Sequence, residues 1–250
     1  MKNTSQETEG RYGLLGRNIS YSFSRGYFQK KFESEGINAS YENFDIEEIS
    51  QFKDLLEENP ALKGLNVTIP YKEQVLTFLD ELDPTAEKIG AVNTIKILPN
   101  GKLKGFNTDH YGFSEALKPF LKPHHQKALI LGTGGASKAV FHALNELQII
   151  PVFVSRTPKA GQIEYSDLDK WIMEEHQVIV NCTPLGTTPN TEAFPPIPFQ
   201  FLGKSHLIFD LIYNPSETKL MALASERGAA VSNGLRMLEL QAEKSWQYWH

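Results

Sequence analysis

The sequence predicts an α/β protein in which strands alternate with helices in two successive units. Residues 11–100 alternate short apolar runs with helical patterns, and a second series of the same kind begins near residue 127. This alternation is typical of βαβ units with crossover helices. A glycine-rich stretch, GTGG at 132–135, lies between a strand pattern and a helix pattern. That placement indicates the first strand-to-helix turn of a doubly wound sheet.

The composition is that of an ordinary globular protein. Of 250 residues, 40% are hydrophobic and 22% charged, and the net charge is -5 without a basic stripe. This charge distribution does not favour binding to nucleic acid or to an anionic membrane, so small molecules are the expected partners. The first ten residues lack the apolar core of a secretory signal, and the single cysteine, Cys182, is expected to pack in the core. We therefore expect a cytoplasmic protein, as a monomer or homodimer.

The first unit is expected to begin with a strand in YGLLG at 12–16 and a helix in SRGYFQKKFESEG at 24–36. Phe28 and Phe32 are four residues apart and form a core-facing stripe, and Gly36 is placed to end this helix. The next patterns are a strand in NASYENFDI at 38–46, a helix in EEISQFKDLLEENP at 47–60 and a strand in LNVTI at 65–69.

A β-hairpin and a helix are expected to follow. Alternating runs flank Pro99, Asn100 and Gly101, which supply the chemistry of a turn within 92–107. A helix from about Asp109 to Leu121 then leads towards the second unit.

The second unit opens with KALIL at 127–131, whose four consecutive apolar residues predict a strand buried on both faces, as in parallel sheets. Further strand patterns occur in PVFVS at 151–155, QVIVNCT at 177–183 and HLIFDLIY at 206–213. The last segment, 233–250, is a helical pattern with more apolar and aromatic positions than a free tail needs. It is therefore expected to dock on one of the two units.

The glycine-rich loop is a candidate dinucleotide site. A glycine after the strand permits the tight turn, a second allows the backbone to approach a pyrophosphate, and the helix amides supply an anion site. Gly132, Gly134 and Gly135 stand at these places, but Ser137 replaces the third glycine of the usual spacing. A glycine-rich turn without a ligand is the alternative.

The end of the following strand favours NADP over NAD. An NAD site usually has an acidic residue there for the ribose 2′-hydroxyl. This chain has Ser155, Arg156, Thr157 and Lys159, which offer hydroxyl and cationic donors and no carboxylate. An arginine suits a 2′-phosphate because its planar fork binds phosphate and stacks on adenine. The alternative is a solvated basic turn.

Several polar residues of the first unit form a second candidate site. Ser22 and Ser24 are two apart and share one face of an extended segment, although a helix cap at Ser24 would also explain them. Asn66 and Thr68 share a face at the carboxyl end of their strand, where α/β sheets bind ligands. Asn93 is a further polar residue beside the hairpin.

Lys72 follows this strand directly and is a candidate proton donor. A lysine beside a carboxylate, here Asp109, can hold or donate a proton to an oxygen that becomes an alkoxide during ketone reduction. The alternative is an exposed lysine on the first turn of a helix.

Nine segments, in this order, resemble the shikimate dehydrogenase family: YGLLGRNISYSFS, GLNVTIPYK, GAVNT, GFNTD, GTGGASKA, SRT, NCTPLG, FDLIYNPSET and NGLRMLELQAE. The resemblance covers residues 11–250. It implies an α/β substrate domain at 11–110, a Rossmann-type NADP-binding domain at 111–233, and a final helix at 234–250 that returns to the first domain. The implied activity is the reversible NADPH-dependent reduction of 3-dehydroshikimate to shikimate, without a metal.

The resemblance also implies roles for single residues. Lys72 and Asp109 match the catalytic pair, and Ser22 and Ser24 match the hydroxyls that hold the substrate carboxylate. The residues that match the substrate-ring contacts are Asn66, Thr68, Asn93 and Gln241, with Tyr213 near substrate and nicotinamide. The residues that match the dinucleotide site are Gly132, Gly134, Gly135, Ala136, Ser155, Arg156 and Thr157.

Some positions depart from the family pattern. Tyr21 and Arg25 stand where histidine and proline usually flank the serine pair, and Arg17 and Asn18 replace an Asn-Pro pair. In the NADP segment Ser155 replaces asparagine, Lys159 comes one place early, and the segment is short. These departures leave open a dehydrogenase that acts on quinate, or on both acids, with NAD or NADP. A non-catalytic NADP-binding sensor and a partner-binding module are the non-enzymatic alternatives.

Overall fold

The computed structural model describes residues 10–20 and 22–250, which form two compact units. The first unit contains the chain up to Thr108 together with Ala242–His250, and the second contains Asp109–Gln241. Residues 234–241, which we expected in the first domain, therefore belong to the second unit. Across the two described ranges, no helix is long and apolar enough to cross a membrane.

The described part of the first unit contains, in chain order, β1 (Gly10–Gly16), α1 (Phe23–Glu35), β2 (Ala39–Asp45), α2 (Phe52–Glu58), β3 (Leu62–Val67), β4 (Glu81–Leu82), α3 (Pro84–Ile89), β5 (Thr94–Ile97) and β6 (Leu103–Phe106). The strands form one sheet in the order β2-β1-β3-β5-β6-β4. β1 pairs in parallel with both β2 and β3, whereas β5 is antiparallel to β3 and β6. The predicted hairpin is confirmed, since Ile97 lies opposite Leu103 across the turn.

The first helix shows how local sequence sets its ends. Ser22, in extended conformation, is the N-cap of α1, and its Oγ accepts a hydrogen bond of 3.2 Å from the Ser24 amide. The cap is therefore Ser22, and the alternative of a cap at Ser24 is wrong. Gly36 ends the helix with φ 65°, as predicted, and Phe28 and Phe32 are its buried residues.

The second unit contains α4 (Asp109–Leu117), β7 (Lys127–Leu131), α5 (Gly135–Glu146), β8 (Ile150–Ser155), β9 (Ile163–Glu164), α6 (Lys170–Glu175), β10 (Val178–Asn181), β11 (Leu207–Asp210), α7 (Lys219–Glu226) and β12 (Ala230–Ser232). Its sheet runs β12-β11-β10-β7-β8-β9, and every neighbouring pair is parallel. Numbered within the unit, this is the strand order 3-2-1-4-5-6 of a Rossmann fold. The strand order reverses between β7 and β10, which marks the topological switch point.

The final helix, α8 (Leu235–Trp249), begins in the second unit and ends in the first. In the second unit, α8 lies close to α4, because a Cβ on Gly112 would be 2.5 Å from the Met237 carbonyl oxygen. In the first unit, the Trp249 indole N–H donates to the Ile95 carbonyl at 2.9 Å, and its ring stacks on Tyr12. Gly64 leaves the space that this indole fills. The apolar positions of the last segment are thus used in packing within each unit.

Two local expectations are wrong. The helix from Asp109 ends at Leu117, and Lys118–Phe120, with Pro119 inside it, forms a 3₁₀ turn. Lys72 lies in a turn and not in a helix, because a 3₁₀ helix begins only at Gln74. Residues 156–162 connect parallel strands β8 and β9 without a helix.

Candidate functional site

The glycine-rich loop leads from β7 into α5 at the switch point of the second sheet. Gly132 has φ 96°, a conformation that glycine adopts readily, and a Cβ there would be 2.9 Å from the Thr183 methyl group. Gly134 is the N-cap of α5, and a Cβ on either Gly134 or Gly135 would meet only open space. The amides at the start of α5 are therefore accessible to an anion.

A cavity of about 290 Å³ lies beside this loop. Its lining residues are Gly132, Thr133, Gly134, Val154, Ser155, Arg156, Thr157, Tyr165, Cys182, Thr183, Pro184, Leu185 and Pro196. Five of the predicted cofactor residues are thus brought together. Gly135 and Ala136 are in the first turn of α5 and outside the lining, and Lys159 is exposed further along the β8–β9 connection.

The β8–β9 connection is held in one shape by its own hydrogen bonds. Ser155 Oγ accepts from the Thr157 amide at 3.2 Å, and the Lys159 amide donates to the Gln162 side chain at 3.1 Å. Arg156, at the start of this turn, is exposed and lines the cavity. Burial raises the pKa of the Tyr165 phenol, and the Arg156 guanidinium opposes this shift. Both side chains line the cavity, so its wall contains a cation and a phenol.

These features suit the adenosine end of NADP. The open backbone at Gly134 and the start of α5 can bind phosphate, and Arg156 can bind a 2′-phosphate. Across the two described ranges, the structure contains no group of three or more His, Cys, Asp or Glu side chains that could hold a metal ion.

Sequence reasoning missed several lining residues. Cys182 packs against the core as expected but also lines the cavity, where burial and the Asp210 carboxylate raise the pKa of its thiol. Cys182 and Thr183 directly follow β10, so the rule that ligands bind at strand carboxyl ends could have identified them. No sequence pattern indicated Tyr165, which directly follows β9 and lines the cavity.

The candidate amides of the first unit are buried in a polar cluster. Asn66 is 3% exposed, and its amide nitrogen donates to Ser245 Oγ at 2.9 Å and to Thr94 Oγ1 at 3.2 Å. Its oxygen accepts from the Tyr41 hydroxyl at 2.8 Å. Asn93 is 2% exposed and accepts from the Thr108 amide at 2.7 Å. We call Tyr41, Asn66, Asn93, Thr94, Thr108 and Ser245 the buried polar cluster.

The serine pair has local partners. Ser22 caps α1, as described above, and Ser24 forms a side-chain hydrogen bond with Tyr41. Burial raises the pKa of the Tyr41 phenol, and the hydrogen bond from Ser24 opposes this shift. Ser24 is thereby connected, through Tyr41, to Asn66 of the buried polar cluster.

The backbone around Lys72 is firmly held. Its carbonyl accepts from the Val92 amide at 2.8 Å, and its side chain is half-buried. The preceding residue, Tyr71, is 1% exposed and donates its hydroxyl to the Ile46 carbonyl at 2.7 Å. Thr68 is half-buried after β3, and its carbonyl accepts from the Tyr71 amide at 2.9 Å. The turn that carries Lys72 therefore has a defined geometry.

Three of the residues matched to the catalytic pair and the substrate contacts belong to the second unit. Asp109 is the first residue of α4 and is 6% exposed, and Gln241, on α8, is 5% exposed. The close approach of these helices at Gly112, where a Cβ would be 3.0 Å from Gln241 Cβ, places the two residues on adjacent helices. Tyr213 is half-buried and lies in the segment after β11.

The residues that depart from the family pattern lie at the edge of the first unit. Arg17 is exposed, with its guanidinium 3.4 Å from the Glu47 carbonyl, so it contacts the segment after β2. Asn18, with φ 56°, donates its amide to Asp45 at 2.8 Å. Arg25 is exposed on the first turn of α1, and Tyr21 lies outside the described residues.

Comparison with known proteins identifies what the chain is similar to. The family model for the "Shikimate dehydrogenase substrate binding domain" matches residues 14–95. A shikimate dehydrogenase (NADP(+)) of Clostridium botulinum is 36% identical over 248 residues, covering 95% of both chains. That of Methanococcus maripaludis is 39% identical over 254 residues, covering 95% of this chain and 90% of the relative. The crystal structure of the Thermus thermophilus enzyme, in complex with NADP(H) and shikimate, superposes with a TM-score of 0.85 at 33% identity, covering 96% of this chain and 93% of that one.

Proposed function

The chain belongs to the shikimate dehydrogenase family, and we propose that it catalyses the reversible NADPH-dependent reduction of 3-dehydroshikimate to shikimate. It would thus be an oxidoreductase of the pathway that supplies aromatic amino acid precursors. The observation that carries this proposal is the cavity at the Rossmann switch point, where the glycine-rich loop and Arg156 meet. Proteins of similar sequence are named for NADP, and a similar structure contains NADP(H) and shikimate.

The two units would divide the binding tasks. The first unit, whose residues 14–95 match the family's substrate-binding domain, would bind the hydroxy acid. The second unit would bind NADP through Gly132, Gly134 and Arg156, with Gly135, Ala136, Ser155 and Thr157 beside them. When bound, the cofactor supplies the hydride that reduces the ring ketone.

Lys72 would donate the proton that the ketone oxygen needs as it becomes an alkoxide. An ammonium group stabilises the developing negative charge and can transfer its proton at the same time. The fixed turn around Lys72 would hold the ammonium in place, so little ordering would be required in the transition state. Asp109 would be the carboxylate partner that orients Lys72.

The remaining polar residues would orient the substrate. Ser22 and Ser24 would donate hydrogen bonds from their hydroxyls to the substrate carboxylate. The residues that would contact the substrate ring are Thr68, Asn93, Gln241 and Tyr213. Asn66 differs from these, because its amide nitrogen already donates within the buried polar cluster. We propose that Asn66 acts on the substrate mainly by holding Tyr41 and Asn93 in place.

An absorbance assay at the reduced-nicotinamide band tests the proposed function. Shikimate and quinate are each offered with NADP and with NAD, and initial rates are compared. We expect the largest kcat/KM for shikimate with NADP. A larger value for quinate or for NAD would replace this function by that of a quinate or dual dehydrogenase. NADPH binding without turnover of either acid would instead support a sensor.

A further inference from the structure

Asp210, at the end of β11, is a buried carboxylate that the proposed mechanism does not use. It is 0% exposed, and no lysine or arginine of the described ranges forms an ion pair with it. Burial raises its pKa to about 6, and hydrogen bonds from Thr218, Ile212 and Asn181 oppose this shift. A carboxyl group buried among neutral donors costs folding free energy, so a role in the surrounding structure is expected.

Asp210 orients the side chain of Asn181 on the adjacent strand. Asn181 Nδ2 donates to Asp210 Oδ1 at 3.0 Å, and Asn181 is itself 0% exposed. A carboxylate accepts hydrogen bonds and cannot donate them, so the Asn181 nitrogen must face Asp210. The Asn181 oxygen is consequently turned towards the segment after β10.

That oxygen holds one wall of the cavity. Asn181 Oδ1 accepts from the Thr183 amide at 3.0 Å and from the Thr183 hydroxyl at 2.7 Å. Thr183 Oγ1 in turn accepts from the Leu185 amide at 3.3 Å. Both Thr183 and Leu185 line the cavity, and a Cβ on Gly132 of the glycine-rich loop would be 2.9 Å from the Thr183 methyl group. The hydrogen-bonded path from Asp210 therefore ends at the cavity wall that faces the glycine-rich loop.

On its other side, Asp210 has purely structural neighbours. Its Oδ2 accepts from Thr218 Oγ1 at 2.7 Å, and Thr218 caps α7 by accepting from the Met221 amide. Thr218 does not line the cavity. Asp210 Oδ1 also accepts from the Ile212 amide at 3.1 Å. Of the three donors to the carboxylate, only Asn181 leads by hydrogen bonds to the lining of the candidate cofactor site.

We propose that Asp210 is a positioning residue for the dinucleotide, which it affects by fixing Asn181 and thereby the Thr183–Leu185 wall of the cavity. This inference rests on the proposed function, since it assumes that the cavity binds NADPH. Asp210 touches neither cofactor nor substrate in this role. Its effect is on cofactor affinity, because the wall it fixes would otherwise have to be ordered when NADPH binds.

The test measures NADPH affinity of the full-length protein by fluorescence titration, together with steady-state kinetics. Asp210→Ala removes both acceptor oxygens, so the Asn181 amide nitrogen loses the partner that fixes its orientation. We expect the Kd and the KM for NADPH to rise about tenfold, while kcat at saturating NADPH and the KM for shikimate change less than about threefold. Asn181→Ala should give a similar rise, and the double variant should be no worse than either single variant.

Thr218→Val is the matched control, because it removes the Thr218 hydrogen bond to Asp210 Oδ2 and the cap of α7. It should lower the urea midpoint of unfolding but leave the Kd for NADPH within about twofold of the parent. Should Asp210→Ala fail to fold, Asn181→Ala still tests the path.

Two results would overturn the inference: unchanged NADPH affinity in the Asn181 variant, or an equal loss of affinity in the Thr218 control. Failure of the parent protein to bind NADPH would instead refute the proposed function, so the two failures are distinguishable.

Discussion

The two units hold their candidate binding groups in opposite ways. In the first unit, Asn66 and Asn93 are almost fully buried and their amides are hydrogen-bonded within the buried polar cluster. In the second unit, Arg156 is exposed and Gly134 presents its backbone to open space. One site has its polar geometry built into the core, while the other has it built into a loop and a helix end.

The difference follows from the size and chemistry of the proposed ligands. A small hydroxy acid offers little surface, so its recognition depends on a few polar groups held rigidly, and burial in a hydrogen-bonded cluster provides that rigidity. A dinucleotide offers phosphates that backbone amides and an arginine can bind. Substitutions should therefore change stability and binding together in the first unit but separately at the cavity of the second.

The largest expected effect is that of Lys72→Ala. We expect kcat to fall by about two to four orders of magnitude, because the proton donor is lost, with only a modest change in shikimate affinity. Stopped-flow or steady-state kinetics measure kcat, and a binding titration measures the affinity for shikimate. Lys63→Ala, which removes an exposed lysine of β3, is the control and should keep parental kcat. Near-parental turnover of the Lys72 variant would refute the proposed proton transfer.

Arg156→Gln should change cofactor preference without affecting stability. We expect kcat/KM for NADPH to fall about 10- to 100-fold, and that for NADH to change much less, since only NADPH carries the 2′-phosphate. The thermal midpoint should stay within about 1 °C, because the side chain is exposed. Arg227→Gln, another exposed arginine of the second unit, controls for net charge. An equal loss with both cofactors would show that Arg156 does not select the phosphate.

Asn66→Ala should change stability and binding together. It removes the acceptor of the Tyr41 hydroxyl and one hydrogen-bond donor to each of Thr94 and Ser245, all of them buried, so we expect a loss of about 2 to 3 kcal/mol in unfolding free energy. The KM for shikimate should rise as well. Urea unfolding and kinetics provide the two readouts, and Asn100→Ala, in the exposed hairpin turn, should cost less than about 1 kcal/mol. Unchanged stability would contradict the rigid-cluster interpretation.

Asp210 should make stability depend on pH. Its pKa of about 6 in the native state lies above the ordinary value of 3.8, so the native state binds the proton more tightly. The resulting stabilisation is present below about pH 4 and is lost as the pH rises through about 6. Relative to Asp210→Asn, the parent should lose on the order of 2 kcal/mol between pH 4 and pH 7. Urea unfolding of both proteins across this pH range tests the prediction. If the two unfolding free energies changed in parallel with pH, the carboxyl group would have an ordinary pKa.

Several elements were predictable because short-range chemistry decides them. The end of α1 at Gly36 depends on a conformation that glycine adopts readily, and the hairpin depends on the turn residues Pro99, Asn100 and Gly101. The two βα series and the glycine-rich loop followed from periodicity and spacing. Strand-end chemistry singled out Lys72 and Arg156, and the nine family segments then extended the prediction to further residues, among them Gln241 and Tyr213.

Other features were decided only when distant residues came together. Asn66 is hydrogen-bonded to Ser245, which lies 179 positions away, and to Tyr41, so no local pattern could show that its amide is engaged. Tyr165, which follows β9, lines the dinucleotide cavity. Asp210 is linked to Thr183 by hydrogen bonds through Asn181 of the neighbouring strand. Periodicity and turn chemistry specify where strands and helices form, whereas the partners of a buried polar atom depend on which chain segments the sheet makes adjacent.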